Sequence, residues 1–190
     1  MTSVKDDLLY LRYGVEELEH YLLSDELFWP VTVQPIDKNH SYPKMTLGNL
    51  LLAMQRLEAL SDGGLDTVQK SEYRHMRTQL EAAQSKWRVA WEKKAAHEYR
   101  SRFNQWAELL HEIYENREKQ ASFYASDIRL RVLLALLEAD APEDDRPEIT
   151  PLDLNLRAIF EPGEFVWDAE LAPGFPEERF WFLYGGIRVD

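Results

Sequence analysis

The feature that most constrains this chain is one long helical segment, residues 65–119, in a sequence of 190 residues. Apolar side chains recur along it at spacings of three and four, as is typical of a helix with one buried face. At 1.5 Å per residue, a continuous helix of this length would extend about 80 Å, which is longer than a compact domain of this size requires. We therefore predict that the helix is kinked or protrudes, and that the rest of the chain packs along it.

The apolar pattern changes direction inside this segment. A first, heptad-like seam consists of Tyr73, Met76, Leu80, Ala83, Trp87 and Ala90. A second seam, rotated from the first by roughly a third of a turn, consists of Tyr99, Phe103, Trp106, Leu110 and Ile113. Either the helix breaks within residues 92–98 or one helix changes its packing partners there. Since that stretch has no glycine or proline, a continuous or gently kinked helix is favoured.

The junction between the two seams is where a function beyond packing is first expected. Trp87, Trp91 and His97 lie there, and they are our first candidates for an interaction site. His97 extends the first seam at the point where it ends, so it is either buried with a shifted pKa or hydrogen-bonded to a facing carboxylate. A structural role for this histidine is favoured over a catalytic one.

Shorter helices are predicted on both sides of the long one. Residues 4–24 carry a leucine stripe that Ser3 can cap, and Thr46 can cap a second helix that ends near residue 60. Between them, residues 25–44 contain three prolines and several apolar side chains, so we predict a loop that folds back onto the bundle.

A fourth helix is predicted at residues 122–139. Its residues 130–137 are apolar at almost every position, so apolar side chains lie on all sides of the helix. Such a helix is either central in the core or contacts a second copy of the chain, which makes a homo-oligomer through residues 130–137 an open alternative. The charged, proline-bounded stretch 142–147 is the one candidate domain boundary.

The C-terminal part, residues 142–190, is predicted to be an aromatic-rich arm packed on a helical bundle of residues 1–141, within a single domain. It begins with a short helix at residues 151–160 and continues with an alternating, strand-like pattern at Phe165, Trp167, Ala169 and Leu171. Residues 176–185 suit either a short helix or a strand of a β-hairpin. The expected fold is therefore mainly α: an antiparallel bundle of four main helices with one very long or kinked central helix and an aromatic C-terminal arm.

Charge narrows the partners that can be expected. The net charge of -12 argues against a protein that coats nucleic acid or an anionic membrane. Residues 65–119 carry 11 basic against 9 acidic residues, whereas the flanks 1–64 and 120–190 carry 5 against 10 and 6 against 15. We expect another protein as partner, one with a basic surface, and neither direct nucleic-acid binding nor a membrane.

Cysteine is absent from the sequence, which excludes disulfides, thiolate metal sites and cysteine nucleophiles. Acidic residues interrupt every apolar run near the N-terminus, so neither a signal peptide nor a membrane span is predicted. These features are compatible with a cytoplasmic location.

A basic stripe follows one face of the long segment and consists of Lys70, Arg74, Arg77 and Arg88. It suits phosphate, nucleic acid or an acidic protein, and Trp91 or Tyr99 could offer stacking nearby. The simpler interpretation is a helix face paired with the chain's own carboxylates, and the acidic flanks favour it.

Three Glu-x-x-His pairs raise the alternative of a carboxylate-bridged two-metal bundle. The pairs are Glu17/His20, Glu72/His75 and Glu108/His111. Each lies far from the apolar stripe of its own helix, so we predict that these side chains face outward and assign no metal ligand and no cofactor.

The function expected from the sequence is a non-enzymatic one. No phosphate-binding loop, nucleophile motif or distinguished acid-base pair is found, so no catalytic residue is assigned. In the aromatic arm, Phe180, Trp181 and Tyr184 resemble the aromatic anchors of protein contacts, although a core-covering role is more common. We predict an adaptor, regulator or assembly subunit. The alternatives are the two-metal bundle and an acidic regulator of a nucleic-acid-processing enzyme.

Overall fold

A computed structural model of the chain describes residues 3–34 and 41–189. Within these ranges the chain forms helices over most of its length and one small sheet, so the predicted mainly-α fold with an aromatic arm is confirmed. The helices are α1 Val4–Leu23, α2 Leu47–Ala59, α3 Thr67–Lys86, α4 Arg88–Glu115, α5 Arg117–Ala121, α6 Tyr124–Asp127, α7 Arg129–Leu137, α8 Thr150–Ile159 and α9 Glu177–Phe180; the strands are β1 Phe160–Phe165 and β2 Tyr184–Ile187.

The long central helix is kinked, and the kink lies at Trp87 rather than within residues 92–98. Trp87 has φ -114° and ψ 32°, outside the helical region, while the hydrogen bonds on both sides of it are kept. The amide of Trp87 donates to Ala83 (2.8 Å) and the amide of Trp91 to Trp87 (2.9 Å). The partners change at this residue, since α3 packs mainly on α1 and α4 mainly on α7. Residues 92–98 are uninterrupted helix, as expected where glycine and proline are absent.

Polar side chains begin the helices where the sequence predicted. Ser3 accepts from the amide of Asp6 (3.2 Å), and Thr46 from the amide of Asn49 (3.2 Å). Asp66 begins α3 with a reciprocal pair of bonds to Gln69, both 2.9 Å long. Each cap satisfies an amide that the first helical turn leaves without a partner, which is why these helices start where they do.

The loop between α1 and α2 folds back onto the bundle. Trp29 and Met45 exchange backbone hydrogen bonds (3.0 and 2.9 Å), and the Trp29 indole donates to Glu17 (3.2 Å). Val31, Val33 and Tyr42 pack against the core. The prediction that this loop folds back onto the bundle is confirmed on both sides of residues 35–40. Those six residues, which include the predicted loop residue Pro35, lie outside the described residues.

α7 is the central helix of the core. The predicted fourth helix is divided at Ile128 into α6 and α7, and α7 packs between α4 and α2. Every residue from 131 to 137 is buried, with Val132, Leu133 and Leu134 fully so. The chain itself therefore covers the side chains of residues 131–137. The homo-oligomer alternative required these side chains to be exposed.

The arm forms a two-stranded antiparallel sheet and several single helical turns. In the sheet, Phe160 is opposite Ile187 and Phe165 is opposite Tyr184. The strand predicted at residues 165–171 is wrong, because pairing ends at Phe165 and residues 169–174 form 3-10 turns. Residues 176–185 resolve into α9, a 3-10 turn and the start of β2. Aromatic rings of the arm join the bundle in one continuous core.

Replacing Gly14 with alanine is expected to lower the free energy of unfolding by up to about 2 kcal/mol. The added methyl group would collide with the fully buried side chain of Leu50. Overpacking of this kind costs about 1–3 kcal/mol, and the better helix propensity of alanine offsets roughly 1 kcal/mol. Urea unfolding measures the difference, with Gly63→Ala as control because a methyl group there meets no atom within 4 Å. Equal stability of the two variants would contradict the tight contact.

Candidate functional site

A groove lies at the junction that the sequence analysis singled out. It runs between the C-terminal end of α1 and the kink between α3 and α4, and its volume is about 570 Å³. Two predicted residues, Trp87 and His97, line it, together with Leu23, Val89 and Lys93. We call this surface the junction groove.

The junction groove combines exposed apolar side chains with positive charge. Leu23 is 58% exposed and Val89 is 67% exposed. Trp87, which also lines the groove, is half-buried. The cationic side chains that line it outnumber the described carboxylate, which is that of Asp25. They are Lys86, Arg88, Lys93 and Lys94. The groove is thus a positive, partly apolar patch on an acidic chain.

Two of these cations are held by exposed ion pairs. Lys86 pairs with Glu19 (3.2 Å) and its ammonium group lies 4.7 Å from the centre of the Trp87 ring. Arg88 pairs with Glu92 (2.8 Å) one turn along the same helix. Exposed pairs of this kind contribute little to stability because water and salt screen them. Both cations can therefore exchange their present partners for an incoming carboxylate.

Lys94 fixes the wall of the groove. Its ammonium group is buried and donates to the backbone carbonyls of Ser24 and Glu26, each at 2.8 Å. It also lies 4.6 Å from the centre of the Tyr21 ring. These carbonyls lie just beyond the end of α1, where a cation is favoured. Burial lowers the pKa of Lys94, and the nearby Asp25 carboxylate acts in the opposite direction.

His97 is exposed, so the first of its two predicted alternatives, burial, is wrong. Its neighbour Glu98 is buried instead, and accepts hydrogen bonds from the amide of Gly48 (2.9 Å) and from the Arg102 guanidinium (3.3 Å). The helix turns its charged residues 94 and 98 inward because polar partners from α1 and α2 meet them there. An apolar periodicity cannot register such positions.

The remaining aromatic candidates serve the core. Trp91 and Phe180 are fully buried, so neither is available to a partner. Trp181 is half-buried beneath the Arg157 guanidinium, which lies 3.7 Å from its ring centre. The Tyr184 hydroxyl donates to the Phe175 carbonyl at 2.8 Å. The common, core-covering role fits all four positions.

The histidines of the Glu-x-x-His pairs are exposed. His20, His75 and His111 face outward, and His111 lies 3.3 Å from Glu115. Across the described ranges, no three acidic or histidine side chains come close enough together to hold a metal ion.

Within the described residues, two of the four cations in the basic stripe are paired with the chain's own carboxylates. Arg77 bonds to Glu58 (3.1 Å) and to Glu81 (2.9 Å), and Arg88 is paired as described above. Lys70 and Arg74 lie on the same helix as Arg77 and line neither the junction groove nor the arm cavity described below. This arrangement agrees with the simpler interpretation of the stripe.

A second, larger cavity was not predicted. It lies between α1, α2, the junction of α6 and α7, and residues 166–171 of the arm, and its volume is about 690 Å³. Apolar walls come from Leu52, Ala53, Val166 and Leu171, and the Trp167 side chain also lines it. We call it the arm cavity.

Two arginines reach the arm cavity from neighbouring helices. Arg56 of α2 pairs with the buried Asp7 of α1 at 3.2 Å. Arg129, the first residue of α7, donates to the side-chain carbonyl of Asn49 at 2.7 Å. The Asn49 amide in turn donates to the backbone carbonyl of Lys44 (2.8 Å), which fixes its orientation. Sequence reasoning missed this site because its walls meet only once the arm has packed on the bundle.

None of the helices in residues 3–34 and 41–189 is both long enough and apolar enough to cross a lipid bilayer. Comparison of the chain with protein-family models, with curated proteins and with solved structures found no match.

Proposed function

We propose that this protein is a non-enzymatic binding protein that holds an acidic, partly apolar segment of a partner protein in the junction groove. The observation that carries the proposal is the exposure of Leu23 and Val89 beside a row of cations. Exposed apolar side chains rimmed by charge are typical of protein interaction sites.

The sign of the charge indicates the chemistry of the partner. Most residues that line the groove come from residues 86–97, within the one part of the sequence that is not acidic, in a chain of net charge -12. A carboxylate-bearing segment would be attracted to Lys93 and could displace Glu19 from Lys86. The partner with a basic surface that the sequence predicted would suit the acidic surface outside the groove. The groove itself is positively charged and therefore suits an acidic segment.

A nucleic acid is a poorer fit to the junction groove. Nucleic-acid interfaces are strongly and continuously positive. Here Asp25, Glu19 and Glu92 are interspersed with the cations and would repel successive phosphates. The apolar side chains at Leu23 and Val89 also have no role on a phosphate backbone.

The test compares the groove with exposed positions on two other helices, α3 and α5. The double variant Val89→Glu, Lys93→Glu removes one apolar contact and reverses one charge, both at exposed positions. The matched control is Val68→Glu, Lys119→Glu, since Val68 is 75% exposed and neither residue lines the groove. Proteins captured from the source cell by each variant are quantified by mass spectrometry, and the strongest partner is then purified for titration.

We expect the groove variant to bind the purified partner at least about tenfold more weakly, with the control unchanged. Affinity should fall as salt is raised, because opposite charges drive the contact. Equal binding by both variants, or affinity that salt does not alter, would contradict the proposal. A strict monomer that captures no protein and turns over a small molecule would contradict it as well.

A further inference from the structure

The arm cavity has the composition of a small-molecule site. Its volume of about 690 Å³ falls within the 300–1,000 Å³ common for ligand pockets. Such pockets are mostly apolar with a few polar groups that fix the ligand, and this one joins a leucine-lined wall to two arginines. From this geometry we infer that the arm cavity binds a small molecule with one carboxylate and an apolar body.

Arg129 is the group that points to a carboxylate. Within the described residues its side chain bonds to the neutral Asn49 carbonyl, and it forms no ion pair among them. A guanidinium group has five donors, and one bond to Asn49 leaves others for an incoming anion. A largely buried arginine without a carboxylate is costly, since desolvation of the charge is not offset. Burial accordingly lowers the pKa of Arg129.

The buried Glu98 carboxylate raises the pKa of Arg129, but its hydrogen bonds go to other groups. Glu98 is occupied by the Gly48 amide and by Arg102. Arg102 and Arg56 add positive charge around Arg129 and lower its pKa further, after burial. Among the described residues, the positive charge of Arg129 therefore has no carboxylate bonded directly to it.

The rest of the lining limits the ligand to a single negative charge. Asp7 and Asp168 also line the cavity, and Asp7 already holds Arg56. A doubly charged phosphate would be repelled by both carboxylates, whereas a monocarboxylate needs Arg129 alone. We therefore assign the ligand class as monocarboxylates rather than phosphates.

The apolar part of the ligand has a defined place. The indole nitrogen of Trp167 donates to the Ala125 carbonyl at 2.7 Å, so the ring is fixed and its polar group is satisfied. Its ring meets Phe175 edge-on at 5.4 Å between centres. With Leu52 and Leu171 it gives the cavity apolar surface suited to an aliphatic chain or an aromatic ring.

The test titrates chosen probes into the whole chain. Hexanoate and 3-phenylpropionate are compared with their neutral amides and with inorganic phosphate, by calorimetry and by saturation-transfer NMR. The variants are Arg129→Gln, which can still donate to Asn49, and Arg74→Gln, an exposed arginine on α3, as control. Ser126→Trp serves as an independent second variant, because exposed Ser126 lines the cavity and a large side chain there would obstruct it.

We expect saturable binding of at least one carboxylate, at least tenfold stronger than its amide and than phosphate. Arg129→Gln and Ser126→Trp should each weaken it at least tenfold, and Arg74→Gln should leave it unchanged. Because Arg129 forms no ion pair within residues 3–34 and 41–189, the melting temperature of Arg129→Gln should equal or exceed that of the parent chain. Equal binding of carboxylate and amide, preference for phosphate, or no saturable binding would overturn the inference.

This site is independent of the proposed function. The groove variant Val89→Glu, Lys93→Glu changes no residue of the arm cavity and should bind the carboxylate probes normally. Loss of probe binding in that variant would contradict a separate site. Failure of partner capture with intact probe binding would count against the junction groove alone.

Discussion

Glu98→Ala is expected to lower the free energy of unfolding by about 3–5 kcal/mol, a large part of the 5–15 kcal/mol typical of a domain. The carboxylate is fully buried and accepts from the Gly48 amide and from Arg102. Its removal leaves a nearly buried guanidinium group without its ion-pair partner and a buried amide without an acceptor. Both are more costly than the loss of the contacts themselves.

Urea unfolding followed by circular dichroism measures this effect. The matched control is Glu108→Ala, an exposed glutamate on the same helix, which should change stability by no more than about 0.5 kcal/mol. The double variant Glu98→Ala, Arg102→Leu should recover part of the lost stability, since the Arg102 charge that Glu98 compensated is then removed as well. Similar stabilities of Glu98→Ala and Glu108→Ala would show that the buried network contributes nothing.

Arg131→Met is expected to cost about 3 kcal/mol, and a second change, Asp153→Leu, to restore most of it. Arg131 is buried and binds Asp153 of α8 with two parallel bonds of 2.7 and 2.8 Å. Its guanidinium group also lies 4.7 Å from the centre of the Phe182 ring. The single change leaves a largely buried carboxylate unpaired, whereas apolar replacements of both partners are often neutral or stabilising.

A double-mutant cycle in urea gives the coupling directly. Asp153→Leu alone should also destabilise, because it leaves the Arg131 charge buried. Strictly additive effects of the two changes would contradict a coupled pair. The cycle also reports on the arm, since the pair joins the central helix α7 to the first helix of the arm.

Helix positions could be predicted from the sequence because they depend on local chemistry. Ser3, Thr46 and the leucine stripes act within a few residues, so the starts of α1 and α2 were predicted closely. The change of seam correctly indicated a kink in the long helix. Its position was wrong, since the seam rotates over residues 92–98 whereas the backbone departs from helical angles at Trp87.

Features that depend on distant partners could not be predicted. Lys94 and Glu98 are charged residues outside both apolar seams, and they are buried because carbonyls after α1 and an amide of α2 meet them. The β1 strand was placed too late, because its extent is set by pairing with β2 and not by its own alternation. Arg129 had no local signal at all, since its cavity is formed by the arm.

Lys94 and Glu98 lie one turn apart on α4, and they contact opposite ends of the helix dipoles of α1 and α2. The ammonium group meets carbonyls at the negative end of α1, and the carboxylate meets an amide at the positive end of α2. If α1 ran in the reverse direction, the positive end of its dipole would face the Lys94 ammonium group. If α2 were reversed, the negative end of its dipole would face the Glu98 carboxylate. The two interactions therefore favour one direction for each of α1 and α2 relative to α4. The packing of apolar side chains alone does not specify that direction.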